Sequence, residues 1–188
     1  RFEELDWQQT RMGELTLRRR ADPATGEMIY EVKLGDEYLM SSLFTVAEEA
    51  LADLGLAAAA PAPGDGLEVL VGGLGLGYTA VAALRDERVS ALTVIDRLAA
   101  VIGWHERMLL PASPELVGAP RTALVCDDFF AVMRNAPVAG HTGYDVILWD
   151  VDHSPRHQLD PTPADLYDAA GLRALDRGAD AHDPRHGR

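Results

Sequence analysis

Cysteines, long apolar runs and basic residues are all scarce in this chain. Cys126 is the only cysteine in 188 residues, so an internal disulfide is impossible and a reducing, cytoplasmic location is expected. No run of 18 apolar residues is present, which argues against a membrane-spanning helix and a membrane partner. The 30 acidic residues outnumber the 17 basic ones, and the net charge of -13 disfavours nucleic acid. Such a surface would instead attract a small cationic substrate.

Three closely spaced glycines are the most informative feature that is present. The apolar stretch Leu67 to Val71 predicts a strand buried on both faces, and the Ala-rich run Thr79 to Leu84 predicts a helix. Between them, Gly73, Gly75 and Gly77 allow the backbone to turn sharply and to approach a ligand. We call this turn the glycine loop. A dinucleotide fingerprint needs its third glycine one position later, so a nucleoside without a pyrophosphate fits better.

An acidic residue follows the next predicted strand. The strand Ala91 to Ile95 ends at Asp96, which lies 19 residues after Gly77. A carboxylate at this position is placed to accept hydrogen bonds from two ribose hydroxyls. The alternative is that the glycines only make a tight turn and that Asp96 only caps the following helix.

The chain from residue 67 onward alternates strands and helices, which predicts an α/β fold with a doubly wound, mainly parallel sheet. Because the carboxyl ends of parallel strands meet at one edge, a ligand is expected there. The predicted strands are residues 67–71, 91–95, 122–125 and 145–149, and the predicted helices are residues 79–84, 98–110 and 164–175. The residues at the carboxyl ends of the strands are Gly73, Asp96, Asp127 and Asp150.

The N-terminal part has a different pattern. Alternating apolar residues from Gly13 to Leu34, interrupted by the turn residues 21–26, predict a small β-hairpin element, with Glu37 to Met40 as a third strand. A helix is predicted from Thr45 to Leu56, with an apolar face through Val46, Ala50, Leu51 and Leu54 and a capping box formed by Thr45 and Glu48. The predicted division is a hairpin element over residues 1–42, a nucleoside-binding α/β domain over 43–175 and a polar, disordered tail over 176–188.

Taken together, these motifs resemble the spermidine synthase family of polyamine aminopropyltransferases. The resemblance rests on the glycine loop, Asp96, the sequence Cys-Asp-Asp-Phe-Phe at 126–130, and the phrase Tyr-Asp-Val-Ile-Leu-Trp-Asp at 144–150, followed by Asp152 and Pro155. It covers about residues 13–175, including the hairpin. It implies the Rossmann-like fold of class I S-adenosylmethionine-dependent methyltransferases.

The resemblance also implies a role for each site residue. Gly73, Gly75 and Gly77 would wrap the amino-acid or aminopropyl part of a sulfonium nucleoside. Asp96 would bind its ribose, and Asp127 the amine of its adenine. Asp150 would be the catalytic carboxylate that takes a proton from the attacking amine and holds the ammonium in line. Asp152 would contact the substrate. The implied co-substrate is decarboxylated S-adenosylmethionine or S-adenosylmethionine, and the implied partner is a small amine.

Three functions stay open. The first is aminopropyl transfer to an amine, and the second is methyl transfer from intact S-adenosylmethionine. The two differ near the glycine loop, where the family usually carries an Asp and this chain has Leu76. The family's Tyr-His pair corresponds here to Ala47 and Glu48. These departures support the third function, that of a nucleoside-binding or scaffold protein without turnover.

Several remaining residues are interpreted as structural. His153 and His157 are separated by Pro155, which disfavours the helix that a His-x-x-x-His metal site needs, so no metal is expected. Cys126 is interpreted as a packing residue, and Trp104 as buried on a helix face.

The end of the chain carries a further expectation. Sheets of the implied fold place more strands beside the fourth, yet residues 176–188 are polar. We therefore expect a C-terminally truncated fold in which Asp145 to Trp149 is an edge strand. An unpaired apolar edge is prone to association, so the alternative is that a partner chain covers it, as in a homodimer.

Overall fold

The computed structural model describes residues 2–59, 64, 66–135 and 143–150. These residues form two four-stranded sheets, the first antiparallel and the second parallel. The predicted fold class, a Rossmann-like α/β sheet preceded by a β-hairpin element, is confirmed. No helix within the described ranges is long and apolar enough to cross a membrane.

The N-terminal sheet contains one strand more than predicted. Its strands are β1 (Phe2–Thr10), β2 (Gly13–Ala21), β3 (Met28–Leu34) and β4 (Glu37–Ser41), paired in chain order. The predicted hairpin corresponds to β2 and β3, and the predicted third strand to β4. The additional strand, β1, has no fully buried residue and lacks a clear apolar alternation. It is held by its backbone ladder to β2, which a search for apolar periodicity does not detect.

Helix α1 (Val46–Ala58) follows this sheet and confirms the predicted helix, but two of the four residues predicted on its apolar face are exposed. Val46 and Leu54 are 80% and 72% exposed, while Ala52 and Leu56 are buried. A Cβ on Gly55 would lie 2.5 Å from a methyl carbon of Leu148, so the absence of a side chain brings this face of the helix close to the second sheet. Close backbone approach, rather than apolar periodicity, therefore sets which face packs.

The predicted capping box at the start of α1 is also wrong. Thr45 occupies the N-cap position but makes no side-chain cap hydrogen bond within the described residues. Its hydroxyl instead donates to the Glu49 carboxylate at 3.0 Å. Thr45 has helical backbone angles (φ -110°, ψ 0°), whereas a capping side chain normally requires an extended residue.

The second sheet has the strand order β7-β6-β5-β8. Its strands confirm all four predicted ones: β5 (Leu67–Gly72), β6 (Val89–Asp96), β7 (Thr122–Cys126) and β8 (Val146–Trp149). Within the described residues β8 pairs with β5 alone and so forms one edge of the sheet. The domain limits remain predictions, and the predicted helix 164–175 and the tail 176–188 lie outside the described residues.

Four helices accompany this sheet: α2 (Tyr78–Leu84), α3 (Ala99–Glu106), α4 (Ser113–Gly118) and α5 (Phe129–Asn135). The single helix predicted over residues 98–110 ends early, because Met108 adopts a left-handed conformation with φ 57°. Helix α4 then begins just after this break and has a proline in its first turn, a position that proline favours. Neither helix α4 nor helix α5 was predicted from the sequence.

Both sheets contribute to one core, and α3 links them. Trp104 is fully buried, as predicted, and its indole N–H donates to the Asp6 carboxylate of β1 at 2.6 Å. Arg107 reaches the same oxygen at 2.8 Å. Burial alone would raise the pKa of Asp6, but hydrogen bonds from Arg107, Trp104 and Gln8 outweigh it and lower that pKa. The N-terminal sheet is thus fixed against the helix that follows Asp96.

Cys126 does not have the packing role predicted for it. The thiol is exposed at the end of β7, which is the other edge of the described sheet. An edge strand has a neighbour on one side only, and this leaves the last residue of β7 open to solvent.

Candidate functional site

The glycine loop makes the tight turn expected between β5 and α2. Gly73, Gly75 and Gly77 have φ values of 97°, 48° and 92°, all in the left-handed region that residues with a Cβ rarely occupy. The Gly77 N–H donates to the Leu74 carbonyl at 2.8 Å, which closes the turn immediately before the helix.

Neighbouring elements hold the loop from two sides. A Cβ on Gly75 would lie 3.3 Å from the sulfur of Met40 in β4, so the N-terminal sheet reaches the loop. A Cβ on Gly77 would lie 2.8 Å from the imidazole Cε1 of His105 and 2.8 Å from a methyl carbon of Leu116. The glycines therefore serve close packing as well as the backbone turn.

A buried chain of hydrogen bonds supports the loop from α3 and α4. His105 is fully buried, and its Nε2 lies 3.0 Å from the Gly75 carbonyl oxygen. Because a carbonyl can only accept, Nε2 carries the hydrogen, and Nδ1 accepts from the Ser113 hydroxyl at 3.2 Å. The Ser113 oxygen in turn accepts the Leu110 N–H at 3.3 Å. Burial lowers the pKa of His105, although its bond to Gly75 acts in the opposite direction. The neutral imidazole is therefore favoured.

Asp96 ends β6 beneath the glycine loop and is already extensively hydrogen-bonded. One carboxylate oxygen accepts the backbone N–H groups of Leu74 at 3.0 Å and Gly75 at 3.3 Å. The other accepts the Leu98 N–H at 2.8 Å, just before α3. The structure therefore contains the helix-capping contact given above as the alternative, together with a direct tie to the loop. Asp96 remains partly exposed.

Asp127 lies one strand farther along the same edge. Its backbone N–H donates to the Asp96 carbonyl at 3.1 Å, so the two aspartates lie side by side. The Asp127 side chain is exposed and accepts the Asp128 N–H at 2.7 Å. Asp128 has a structural task, because its carboxylate accepts the N–H groups of Phe130 and Ala131 in the first turn of α5.

Asp150 lies on the other side of the loop, directly after β8. Its backbone N–H donates to the carbonyl of Gly72, the last residue of β5, at 2.8 Å. This bond places Asp150 next to the start of the glycine loop. Its carboxylate accepts the Thr79 hydroxyl of α2 at 2.5 Å. Asp96, Asp127, Asp150 and the glycine loop thus meet at the carboxyl edge of the sheet, whereas Asp152 lies outside the described residues.

Burial shifts both flanking carboxyl groups in the same direction. It raises the pKa of Asp96, against the effect of the backbone hydrogen bonds from Leu98, Leu74 and Gly75. It also raises the pKa of Asp150, against the hydrogen bond from Thr79. Carboxyl groups with perturbed pKa values cluster at functional sites.

Leu76 turns away from solvent. Its side chain is 6% exposed and belongs to the hydrophobic core, so the loop presents no acid at this position. Tyr78, the next residue but one, is partly buried at the start of α2. Burial raises the pKa of the Tyr78 phenol, and a hydrogen bond with Ser42 of the N-terminal sheet opposes this.

A cavity is lined by the residues that directly follow Asp96 in the chain. It has a volume of about 400 Å³ and lies between the β1–β2 turn and the start of α3. Its lining includes Thr10, Arg11 and Met12 on one side and Arg97, Leu98 and Ala99 on the other. The volume is within the usual range for small-molecule sites.

Metal-ligating side chains do not cluster in the described part of the chain. Across residues 2–59, 66–135 and 143–150, no group of three or more His, Cys, Asp or Glu side chains is arranged to hold a metal ion. His153 and His157 lie outside these ranges, and the expectation that they form no metal site stays a prediction.

Sequence reasoning missed the residues that support the site. Thr79 gives no motif, since its importance comes from facing Asp150, 71 positions away. His105 supports the loop through the bond between its buried ring and the Gly75 carbonyl oxygen. These contacts depend on how α2, α3 and α4 pack together.

The fold is similar to solved structures of spermidine synthases. The structure of spermidine synthase from Thermotoga maritima superposes with a TM-score of 0.67 at 18% identity, covering 93% of this chain and 53% of that one. A spermidine synthase in complex with the transition state analogue AdoDATO superposes with a TM-score of 0.62 at 18% identity, covering 81% of this chain and 47% of that one.

The chain thus spans about half the length of these solved structures. No family model matches it. No curated protein matches its sequence either. Because the identity is low, the structural likeness establishes the architecture alone. The chain has a spermidine synthase-like fold.

Proposed function

We propose that this site transfers an aminopropyl group from decarboxylated S-adenosylmethionine to a small amine. The observation that carries the proposal is the partly buried carboxyl group of Asp150, fixed beside Gly72 by a 2.8 Å backbone bond at the mouth of the glycine loop. A carboxyl group there is placed to hold and deprotonate an amine next to a bound nucleoside.

The proposed chemistry requires one bond to form and one to break. The amine nitrogen attacks the carbon next to the sulfonium, the carbon–sulfur bond breaks, and its electron pair returns to sulfur. The nitrogen loses a proton, which the Asp150 carboxylate accepts. The raised pKa of Asp150 makes it a stronger base than an exposed carboxylate.

Asp96 would bind the ribose, but it has fewer free acceptor positions than two ribose hydroxyls require. A carboxylate offers about four acceptor sites, and three are used by Leu74, Gly75 and Leu98. We therefore propose that Asp96 accepts one ribose hydroxyl as the loop stands. A second could bind only by replacing the longest of the three bonds, from Gly75 at 3.3 Å.

Asp127 would bind the adenine amine. Its exposed carboxylate is adjacent to Asp96 across the β6–β7 pair, and one backbone N–H is its known partner. The cavity of about 400 Å³, which Arg97 and Leu98 line directly after Asp96 in the chain, offers room for part of the nucleoside. The overall charge of -13 supports attraction of both cationic reactants.

Methyl transfer is the second candidate, and Leu76 favours it. A decarboxylated co-substrate presents an ammonium group near the loop, which an acid would bind, whereas intact S-adenosylmethionine presents a carboxylate as well. The buried Leu76 supplies no acid that would bind the ammonium group of the decarboxylated co-substrate or repel the carboxylate of intact S-adenosylmethionine. A nucleoside-binding protein without turnover is the third candidate.

Calorimetric titration with both co-substrates, followed by turnover with a panel of amines, separates the three. Aminopropyl transfer releases methylthioadenosine, and methyl transfer releases S-adenosylhomocysteine, so the nucleoside product identifies the reaction. Binding without either product would leave the scaffold function. Asp150→Asn is the matched control, since it preserves shape and removes the base.

A further inference from the structure

Thr79 contacts two oxygen atoms that compete for one hydrogen. It is 2% exposed in the first turn of α2. Its hydroxyl oxygen lies 2.5 Å from a carboxylate oxygen of Asp150 and 3.3 Å from the main-chain carbonyl oxygen of Glu48 in α1. A hydroxyl has one hydrogen to donate, and a carbonyl oxygen can only accept. The hydrogen can therefore satisfy only one of these oxygens at a time.

The protonation state of Asp150 decides between them. When Asp150 is ionised, the Thr79 hydroxyl donates to the carboxylate, since a charged acceptor forms the stronger bond. When Asp150 is protonated, its own O–H donates to the Thr79 oxygen, and the Thr79 hydrogen turns to Glu48. The carboxyl group keeps a partner in both states, which avoids the cost of a buried, unpaired polar group.

We propose that Thr79 is a positioning residue that shifts its hydroxyl hydrogen between Asp150 and the Glu48 carbonyl as Asp150 loses and gains a proton. The inference rests on the proposed function, in which Asp150 accepts the proton of the attacking amine. Thr79 itself neither gains nor loses a proton overall. The amine loses a proton, Asp150 gains it, and the hydroxyl reorients.

The neighbouring described elements also carry ionisable side chains. Glu48 and Glu49 lie on α1, Tyr78 precedes Thr79 on α2, and Asp96 is across the loop. Glu49 is paired with Arg85 at 3.3 Å. Burial raises the pKa of Asp150, and the Thr79 hydrogen bond counteracts that rise. Removing the hydroxyl should therefore raise the pKa of Asp150 further.

Three substitutions separate this role from simple packing. Thr79→Val removes the hydroxyl at nearly constant shape, and Thr79→Ser retains it. The matched control is Thr45→Val, which removes another threonine hydroxyl that donates to a carboxylate, that of Glu49 at 3.0 Å. The titration of Asp150 is followed by carbon-13 NMR of labelled aspartate, with the resonance assigned by Asp150→Asn.

We expect the Asp150 midpoint to move to higher pH in Thr79→Val, and to stay near the wild-type value in Thr79→Ser and Thr45→Val. An unchanged midpoint in Thr79→Val overturns the inference. Transfer should be slower in Thr79→Val at pH values below that raised midpoint, because Asp150 then already carries a proton and cannot accept one from the amine. The rate should recover as the pH is raised.

The wild-type chain provides a test that does not depend on the variants folding. The Thr79 methyl resonance should titrate with the same midpoint as the Asp150 carboxyl resonance, because the hydroxyl reorients with it. A Thr79 methyl resonance that is constant through that midpoint overturns the inference. Both NMR tests apply even if no aminopropyl transfer is detected, so failure of the proposed function is distinguishable from failure of the role of Thr79.

Discussion

The two carboxyl groups that flank the glycine loop are held in different ways. Asp96 accepts three backbone N–H groups, from Leu74, Gly75 and Leu98, and so is part of the loop's own architecture. Asp150 has one described side-chain partner, Thr79. Backbone donors cannot reverse their polarity, whereas a hydroxyl can donate or accept. The difference favours a fixed binding role for Asp96 and a change of protonation for Asp150.

The largest effect is expected at the loop that both carboxyl groups share. Gly77→Ala would place a Cβ 2.8 Å from the His105 ring, on a residue with a φ of 92°. Neither the steric clash nor the backbone strain can be relieved unless the loop or the buried ring moves. Left-handed strain and overpacking together should lower the free energy of unfolding by about 2 to 5 kcal/mol. Urea denaturation measures this loss.

Gly103→Ala is the matched control for that substitution. A Cβ at Gly103 meets nothing within 4 Å in the middle of α3, so alanine should be neutral or stabilise by up to about 1 kcal/mol. Equal stability of the two variants would show that the loop tolerates a side chain at Gly77, against the close packing described above.

The next effect concerns the Asp150 side of the site. Asp150→Asn removes the proton acceptor while keeping the contact with Thr79, so aminopropyl turnover should fall at least about a hundredfold. The rate is measured by release of the thioether nucleoside at saturating substrates. Turnover close to that of the wild type would remove Asp150 from the chemistry.

A smaller effect is expected at Asp127, which lies beside Asp96 after strand β7. Asp127→Ala removes one carboxylate acceptor from the adenine amine, which should weaken nucleoside binding by about 1.5 to 3 kcal/mol. Asp128→Ala is the control, because Asp128 caps α5 and should alter stability more than affinity. If the two variants bind the nucleoside equally well, Asp127 is not an adenine contact.

The smallest expected effect is a pH dependence of the free energy of unfolding that arises from His105, whose buried ring supports the glycine loop. His105 has a lowered pKa when folded and a usual value of 6.5 when unfolded, so the unfolded state takes up the proton first as pH falls. Its contribution to stability is complete above about pH 6.5 and is lost below it, at no more than about 1.4 kcal/mol per pH unit. The raised pKa of Asp150 has the opposite sign, because the folded state then binds the proton more readily.

His105→Gln isolates the histidine part of this dependence. The variant cannot titrate at this position, so its free energy of unfolding should change less than that of the wild type between pH 7.5 and pH 5.5. Urea denaturation at both values gives the comparison. Identical pH slopes in the two proteins would mean that His105 is not held neutral by its burial.

Much of the fold could be predicted because its determinants are local in sequence. Apolar stretches such as Leu67 to Val71 specify buried parallel strands, and glycines between a strand and a helix specify the turn. Strand β1 was missed because its residues are polar and its stability comes from backbone pairing. Two of the four residues predicted on the apolar face of α1 are exposed because Gly55, which has no side chain to appear in an apolar pattern, sets the closest approach.

The candidate site, like the fold, was predictable only in part. Asp96, Asp127 and Asp150 could be found because each directly follows a predicted strand, and the carboxyl ends of parallel strands meet. Their partners could not, since the bonds from Thr79 to Asp150 and from His105 to Gly75 join residues distant in sequence. The extent of hydrogen bonding to Asp96 was equally invisible, because backbone N–H groups leave no mark on the sequence.

Calorimetric titration of decarboxylated S-adenosylmethionine against Asp96→Ala and Asp150→Asn tests most directly whether binding and chemistry are separated across the loop. Asp96→Ala should weaken binding at least about tenfold, because it removes a hydrogen bond to the ribose together with the three backbone bonds that hold the loop and the start of α3. Asp150→Asn should bind with nearly wild-type affinity. Equal losses in the two variants, or a larger loss in Asp150→Asn, would show that binding and chemistry are not separated across the loop.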